Sequence, residues 1–163
     1  MRVAVCGGGV IGACLAFFLA RRGAAVTVIE RTGVACAASG KSGGFLALDW
    51  CDGTALAPLA RRSFALHAEL AAMPFADWDY RRLETFSVAA SAGRRLPGSA
   101  ARLGWLGEHA VVQGRLGGEA STAQVHPALF TRGMMQAAVE AGATLRIGRV
   151  TGIVLNGDGA TAT

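Results

Sequence analysis

The sequence predicts an α/β fold, and two segments indicate it. A strand pattern at residues 2–6 is followed by a glycine-rich turn, an apolar helical segment at 10–22 and a second strand pattern at 25–29. A second helical pattern, at 127–141, again leads into strand patterns, at 143–147 and 150–155. Strands that alternate with helices of roughly 10–15 residues are typical of βαβ units with a parallel sheet.

Composition indicates a folded chain with a buried core. Of the 163 residues, 52% are hydrophobic and 17% are charged. The longest apolar run, 13–20, ends at two arginines and is shorter than the ~20 residues that span a bilayer, so no transmembrane segment is predicted. The net charge is +5, but the arginines form separated pairs without a basic block. Nucleic-acid binding is therefore not expected, and the charge fits an anionic cofactor or an acidic substrate as well.

The four cysteines indicate neither a metal site nor a disulfide framework. They have no CxxC spacing and are scattered through apolar or glycine-rich surroundings. We expect them to be buried free thiols, which fits an intracellular, reducing compartment and leaves open whether this is the cytoplasm or an organelle.

The first βαβ unit carries a dinucleotide-binding motif. Residues 6–12 read Cys-Gly-Gly-Gly-Val-Ile-Gly, and Glu30 follows Gly12 after 17 intervening residues, at the end of the next strand. Gly7 permits the tight turn, Gly9 lets backbone N–H groups approach a pyrophosphate, and Gly12 lets the helix pack closely on the strand. The helix N-terminus attracts phosphate, and Glu30 can accept hydrogen bonds from ribose hydroxyls while its charge disfavours the 2′-phosphate of NADP. These residues predict a Rossmann-like site for FAD or NAD.

The rest of the chain is divided by glycine and proline. A small, polar loop is predicted at 31–44, a helix at 54–73, a strand at 85–89, a loop at 91–101 and a strand at 118–123. Asn-Gly-Asp-Gly at 156–159 predicts a hairpin turn into a last arm at 160–163. Because a four-residue arm leaves its partner poorly paired, we expect the sequence to be the N-terminal portion of a longer protein.

Two distant segments carry a resemblance to a known family. They are Ala-Ala-Ser-Gly-Lys-Ser-Gly-Gly-Phe-Leu at 37–46, and Val-His-Pro-Ala-Leu at 125–129 with Arg-Val-Thr at 149–151. With the glycine motif, they resemble the D-amino-acid-oxidase-like FAD-dependent oxidoreductases, which include glycine oxidase, sarcosine oxidase and D-amino-acid dehydrogenase. Within that family the sequence looks closest to a plant and fungal branch of oxidoreductases.

The resemblance implies FAD as the cofactor and a Rossmann-like FAD-binding domain with part of an inserted α+β substrate-domain segment. Residues 1–50 would form the FAD-binding βαβ unit and flavin loop, 51–123 a helix and the start of the substrate-domain segment, and 124–163 the return to the FAD-binding domain. The predicted FAD contacts are Gly7, Gly9, Val10, Ile11, Gly12, Glu30, Arg31, Ser39, Lys41, Ser42, Gly43, Gly44 and Val150.

The resemblance also implies the reaction. Flavin N5 would accept a hydride from the carbon that bears an amine, giving an imine that water hydrolyses. The substrate would be a small amine or amino acid, bound largely by residues of the family's second half, so no catalytic residue is assigned in this sequence. The alternatives are an FAD-dependent 2-hydroxy-acid dehydrogenase, an NAD-dependent dehydrogenase and a truncated FAD-binding or regulatory module without activity. The oligomeric state is left open, and His67, His109 and His126 are expected to have surface or capping roles.

Overall fold

The computed structural model describes residues 1–93, 103–156 and 159–162, with burial described through residue 154. Three predicted features therefore lie partly outside the described residues, namely positions 94–101 of the loop at 91–101, positions 157–158 of the hairpin turn and position 163 of the last arm. No helix in the described ranges is long and apolar enough to cross a membrane.

The described residues form three helices and ten strands, with one short 3-10 turn at Ala38–Gly40. The helices are α1 (Val10–Ala20), α2 (Ala57–Ala71) and α3 (Pro127–Glu140). The strands are β1 (Arg2–Cys6), β2 (Ala25–Glu30), β3 (Phe45–Ala47), β4 (Arg81–Arg82), β5 (Thr85–Ala90), β6 (Ala110–Gly117), β7 (Thr122–Gln124), β8 (Thr144–Ile147), β9 (Ile153–Asn156) and β10 (Gly159–Ala162).

The chain divides into two units, of which the first holds the predicted nucleotide site. This unit comprises residues 1–44, 70–79 and 125–163. Its main sheet has the strand order β1-β2-β8, and both pairings are parallel. Because parallel neighbours need a crossover, each pair is joined by a connection that contains a helix, and the ends of β1 and β2 lie side by side where Cys6 pairs with Ile29.

The core of the first unit lies between α1, α3 and the sheet. Ala13, Ala16 and Phe17 of α1 are buried, as are Val26 and Val28 of β2. These small alanines allow α1 to pack closely against α3, whose apolar face is also buried.

Trp78 extends this core by packing against α3 at Phe130 and Gly133. It is only 1% exposed, and its ring meets the Phe130 ring edge-on with centroids 5.2 Å apart. A Cβ at Gly133 would lie 2.9 Å from the Trp78 ring, so the glycine provides room for the indole. The backbone of His126 donates to the Trp78 carbonyl at 2.8 Å, which fixes the start of α3.

The second unit comprises residues 45–69 and 80–124 and contains two small antiparallel sheets. One sheet has the order β3-β7-β4, and the other pairs β5 with β6. Beside them, the Arg82 guanidinium lies 4.4 Å from the centre of the Phe64 ring of α2, and its Nη1 donates to the carbonyl of Glu119 at 3.2 Å.

The α/β prediction is confirmed, and most predicted elements are found within a few residues of their expected ends. Strand β6 at Ala110–Gly117 was not predicted. Its pairing with β5 has two register irregularities, which explains why the sequence lacks a clean two-residue alternation. The short strands β3 and β4 were not predicted either, since three and two residues carry no periodicity.

The prediction of buried thiols is wrong in part. All four cysteines are free, but Cys6 and Cys36 are exposed, and Cys14 and Cys51 are half-buried. Cys6 points outward because side chains alternate along β1, where Val5 is the buried neighbour.

Candidate nucleotide-binding site

The glycine motif forms a tight connection between β1 and α1. Gly7 has a φ of +108°, a conformation that favours glycine, and its N–H donates to the Ile29 carbonyl at 2.8 Å. A Cβ at Gly12 would overlap the Gly7 carbonyl oxygen, well inside the 3.0 Å that real Cβ atoms keep, and would lie 3.3 Å from Val5 Cγ1. The first turn of α1 can therefore lie against the loop only because position 12 has no side chain.

Glu30, at the end of β2, is fixed by backbone donors. Its Oε2 accepts from the Gly8 N–H at 2.6 Å, and its Oε1 accepts from the N–H groups of Thr32 at 2.8 Å and Gly33 at 3.3 Å. These hydrogen bonds, above all those from Gly8 and Thr32, lower the pKa of the Glu30 carboxyl. The group is therefore a carboxylate at neutral pH, and its remaining lone pairs can accept hydrogen bonds from ribose hydroxyls.

The loop after β2 is attached to the glycine loop by its own hydrogen bonds. The Ala35 N–H donates to the Gly8 carbonyl at 3.1 Å, and the Ser39 Oγ accepts from the Val10 N–H at 2.9 Å. Ala35 is buried and has a φ of +63°, a left-handed conformation that costs a non-glycine residue about 1–2 kcal/mol. A Cβ at Gly40 would overlap the Ala35 carbonyl, so the loop closes on itself at a residue without a side chain.

Two clefts border these loops. The first has a volume of about 190 Å³, and the second is an open groove of about 560 Å³ along β1 and α1. The first cleft is lined by Gly8, Gly9, Glu30, Arg31, Thr32, Gly33, Ala35, Cys36, Ala37 and Ser39. The groove is lined by Val3, Ala4, Val5, Cys6, Gly7, Gly9, Val10, Ile11, Gly12, Leu15, Leu19 and Ser39. Gly9 and Ser39 line both, so they lie where the two clefts meet.

Eight of the thirteen predicted contacts line one of these clefts, namely Gly7, Gly9, Val10, Ile11, Gly12, Glu30, Arg31 and Ser39. The other five, Lys41, Ser42, Gly43, Gly44 and Val150, line neither.

Gly44 has a different, structural role that the structure makes visible. Its φ is +70°, and a Cβ there would overlap the Val125 carbonyl oxygen. The Val125 N–H donates to the Gly44 carbonyl at 3.0 Å, so the end of the loop after β2, residues 31–44, is joined to the segment that enters α3. We call this loop the second loop.

The segment that contains Val150 is attached to the end of β2. The Gly148 N–H donates to the Glu30 carbonyl at 2.9 Å, and Val150 follows two residues later, half-buried. Lys41 and Ser42 are exposed on the second loop. Direct contact of any of these residues with a cofactor stays a prediction.

The sequence reasoning missed several residues of the first cleft, namely Gly8, Thr32, Gly33, Ala35, Cys36 and Ala37. A signal existed for Gly8, which lies inside the glycine motif. Nothing in the sequence indicates that Ala35 adopts a left-handed conformation, because alanine rarely does so.

One of the three histidines has a defined local role. His126 caps α3, since its Nδ1 accepts from the Leu129 N–H at 3.3 Å. Burial lowers the pKa of His67, and His109 lies exposed with its Nε2 3.8 Å from a Glu108 carboxylate oxygen. Within the described ranges, no three or more His, Cys, Asp or Glu residues are grouped so that they could hold a metal ion.

A comparison with protein families decides between the candidate cofactors. A family model described as FAD dependent oxidoreductase matches residues 2–163. The chain belongs to this family. The predictions of the family, of FAD as the cofactor and of a Rossmann-like FAD-binding fold are thereby confirmed.

Individual relatives agree with this assignment. A Schizosaccharomyces pombe protein named "Putative oxidoreductase C1F5.03c" is 32% identical over an alignment 166 residues long, gaps included. The alignment covers 96% of this chain and 42% of the relative. Glycine oxidase from Bacillus cereus matches 95% of the chain at 25% identity with a TM-score of 0.75, over 50% of its own chain. Iminodiacetate oxidase from Chelativorans matches 99% at 25% identity with a TM-score of 0.73, again over 50% of its own chain. The chain thus spans about half the length of these relatives, or less.

The residues present fit the adenosine and pyrophosphate parts of FAD. The lining of the clefts includes the start of α1 and a serine, which suit phosphate, and the Glu30 carboxylate, which suits a ribose diol. The 190 Å³ cleft is smaller than the roughly 300–1,000 Å³ of sites that enclose a complete small-molecule ligand, so it suits one part of a long cofactor.

Proposed function

We propose that residues 1–163 bind the adenosine and pyrophosphate end of FAD in a protein that oxidises a small amine or amino acid. The single observation that carries the nucleotide-binding part is the Glu30 carboxylate, held by three backbone N–H groups beside the start of α1, and the family of the chain supports FAD as the nucleotide. A negative charge at this place can bind the ribose, and the helix N-terminus beside it attracts the pyrophosphate.

The site residues have separate roles in this proposal. Gly7 and Gly12 shape the loop, Gly9 leaves room for the pyrophosphate, the N–H of Ile11 faces its oxygens, and Val10, whose N–H donates to Ser39 Oγ, lines the groove beside it. Arg31, Ser39, Lys41 and Ser42 would supply charge or hydroxyl donors, Gly43 and Gly44 would pass beneath the flavin end, and the backbone of Val150 would reach the adenine. Bound FAD supplies a two-electron acceptor for a hydride, and the protein's task is to hold and orient it.

The substrate class is proposed from the relatives. The two similar solved structures are named for glycine and iminodiacetate, which both carry an amine nitrogen on a carbon next to a carboxylate. An amine of this type is therefore the first substrate to test, and the net charge of +5 agrees with an acidic ligand.

The test uses the absorption spectrum of the purified whole protein. We expect a bound flavin spectrum that bleaches without oxygen when glycine or an N-substituted glycine is added, and not when a 2-hydroxy acid is added. A protein without flavin would contradict the cofactor assignment, and bleaching by hydroxy acids alone would contradict the substrate class.

A pair of variants connects the spectrum to the site. E30Q should lower the flavin content, because an amide cannot replace the charge that accepts the ribose hydroxyls. E140Q is the matched control, since Glu140 lies exposed at the end of α3, and it should keep the flavin content of the wild type. Equal flavin content in both variants would contradict the role of Glu30.

A further inference from the structure

Two adjacent arginines of the second unit lie on opposite faces of one sheet. Arg81 and Arg82 form β4, and side chains alternate between the two faces along a strand. The Arg82 guanidinium lies 4.4 Å from the centre of the Phe64 ring of α2, so its face of the β3-β7-β4 sheet lies toward that helix. Arg81 is exposed and therefore brings a cation to the face that α2 does not cover.

The strand register places Arg81 in one row with two other side chains. Phe45 of β3 pairs with Gln124 of β7, and Gln124 pairs with Arg81. Residues paired directly across strands present their side chains on the same face. Because neighbouring strands lie about 4.8 Å apart, the row is about 10 Å long and presents a phenyl ring, an amide and a guanidinium in this order. We call these three residues the Arg81 row.

The amide at the centre of the row orients the guanidinium. Arg81 Nη2 donates to Gln124 Oε1 at 2.6 Å. The N–H donors of a guanidinium lie in one rigid plane, so fixing one of them also sets the direction of the others. At the other end of the row, the Phe45 side chain is 58% exposed. The row thus combines an oriented cation with an exposed apolar surface, which suits a small molecule that has a carboxylate beside carbon atoms.

We propose that the Arg81 row binds the carboxylate of the substrate, with Arg81 as the substrate-binding residue and Gln124 as the positioning residue behind it. This inference rests on the proposed function, which supplies a substrate that carries a carboxylate. Arginine holds a carboxylate through two parallel N–H···O bonds, and it therefore selects this group over a neutral amide of the same shape.

The order of the chain agrees with this assignment. Phe45 follows Gly44 directly, and Gly43 and Gly44 are the residues proposed above for the flavin end of the cofactor. One continuous segment would therefore serve the cofactor with its glycines and the substrate with the strand that follows them.

The experiment measures binding of acetate and of acetamide to the whole flavin-containing protein at constant ionic strength, by flavin absorption and by calorimetry. Acetate has the carboxylate, and acetamide has nearly the same shape without the charge. In R81M we expect acetate binding to be about 10- to 100-fold weaker, because bidentate hydrogen bonds to a charged group are lost, with acetamide binding and flavin content unchanged. R81K keeps the charge without the planar fork and should restore only part of the affinity.

Two further variants make the test specific. Q124A should weaken acetate binding by about 3- to 10-fold through the lost orientation of Arg81, with acetamide binding unchanged. R115M is the matched control, because Arg115 is an exposed arginine of the same unit that pairs with Glu84, and it should keep the acetate affinity of the wild type.

The outcomes separate the inference from the proposed function. Acetate binding in R81M as tight as in the wild type would overturn the inference, and so would an equal loss of acetate and acetamide binding, which would mean general damage. Neither result touches the proposed function, which flavin content and bleaching by glycine decide. Wild-type protein without flavin would overturn the proposed function, and calorimetry of acetate with wild type and R81M would then decide the carboxylate site alone. If R81M does not fold, R81Q, which keeps a polar side chain, takes its place.

Discussion

Replacing Gly12 with alanine tests the close approach of α1 to the glycine loop. The new Cβ would overlap the Gly7 carbonyl oxygen, and separating the two by the roughly 1 Å that is needed would loosen a close-packed interior. Overpacking costs about 1–3 kcal/mol. We expect a cost of about 3 kcal/mol here, because the atom that the new Cβ meets belongs to the backbone and cannot move aside as a flexible side chain can. Alanine returns about 1 kcal/mol through its higher helix propensity. We therefore expect a net destabilisation of about 2 kcal/mol, which lowers the thermal midpoint by about 4–8 °C in a domain of this size.

Thermal unfolding followed by circular dichroism measures this effect. The matched control is G114A, because Gly114 of β6 has open space around its missing Cβ and no positive φ. Its midpoint should stay the same or rise slightly, since alanine is the better residue inside a strand. The reasoning about Gly12 is refuted if G12A is as stable as the wild type or more stable, because that result would show that position 12 behaves as an ordinary helix position.

Three further predictions follow from the site. Because the pKa of Glu30 is lowered in the folded state, the carboxylate stabilises the fold above pH 4.5, and this stabilisation is lost as the pH falls through the folded-state pKa. The free energies of unfolding of wild type and E30Q, measured with urea, should therefore become equal in acid. A difference that stays constant with pH would contradict this. G44A should lose more stability than G53A, since both glycines have positive φ but only Gly44 approaches a carbonyl, and equal midpoints would count against that contact. Burial raises the pKa of Cys14 to about 11, so alkylation at neutral pH should modify the exposed Cys36 before Cys14, as peptide mapping can show. Because Cys36 lines the first cleft, bound FAD should protect it from alkylation. Modification of Cys14 before Cys36 would contradict the prediction.

The structure gives the second loop a larger part in the site than its sequence indicates. Four hydrogen bonds join it and the end of β2 to the glycine motif, through the Ile29 carbonyl, the Glu30 carboxylate, the Ala35 amide and the Ser39 hydroxyl. A site held in this way needs little rearrangement when a ligand binds, and less ordering entropy opposes binding. Variants of this loop should therefore affect affinity as strongly as variants of the glycine motif.

The sequence by itself determined the parts of this protein that depend on local chain geometry. The spacing of Gly7, Gly9 and Gly12 between a strand and a helix, with Glu30 at the next strand end, was enough to predict the βαβ unit and a nucleotide site at its turn, because strand, turn and helix start are indicated by neighbouring residues. Pro127 and Gly142 likewise bracket α3 through conformations that these residues prefer.

The tertiary structure alone decided how the loops meet. The left-handed conformation of Ala35 and the bond between Ser39 and Val10 depend on contacts between segments far apart in sequence, and nothing in the residue types requires them. The same holds for Gly44, whose missing side chain is needed only because the Val125 carbonyl approaches it from across the fold. Local preferences select turns and helices, but close approaches between distant segments are set by packing, and packing appears only when the whole chain is folded.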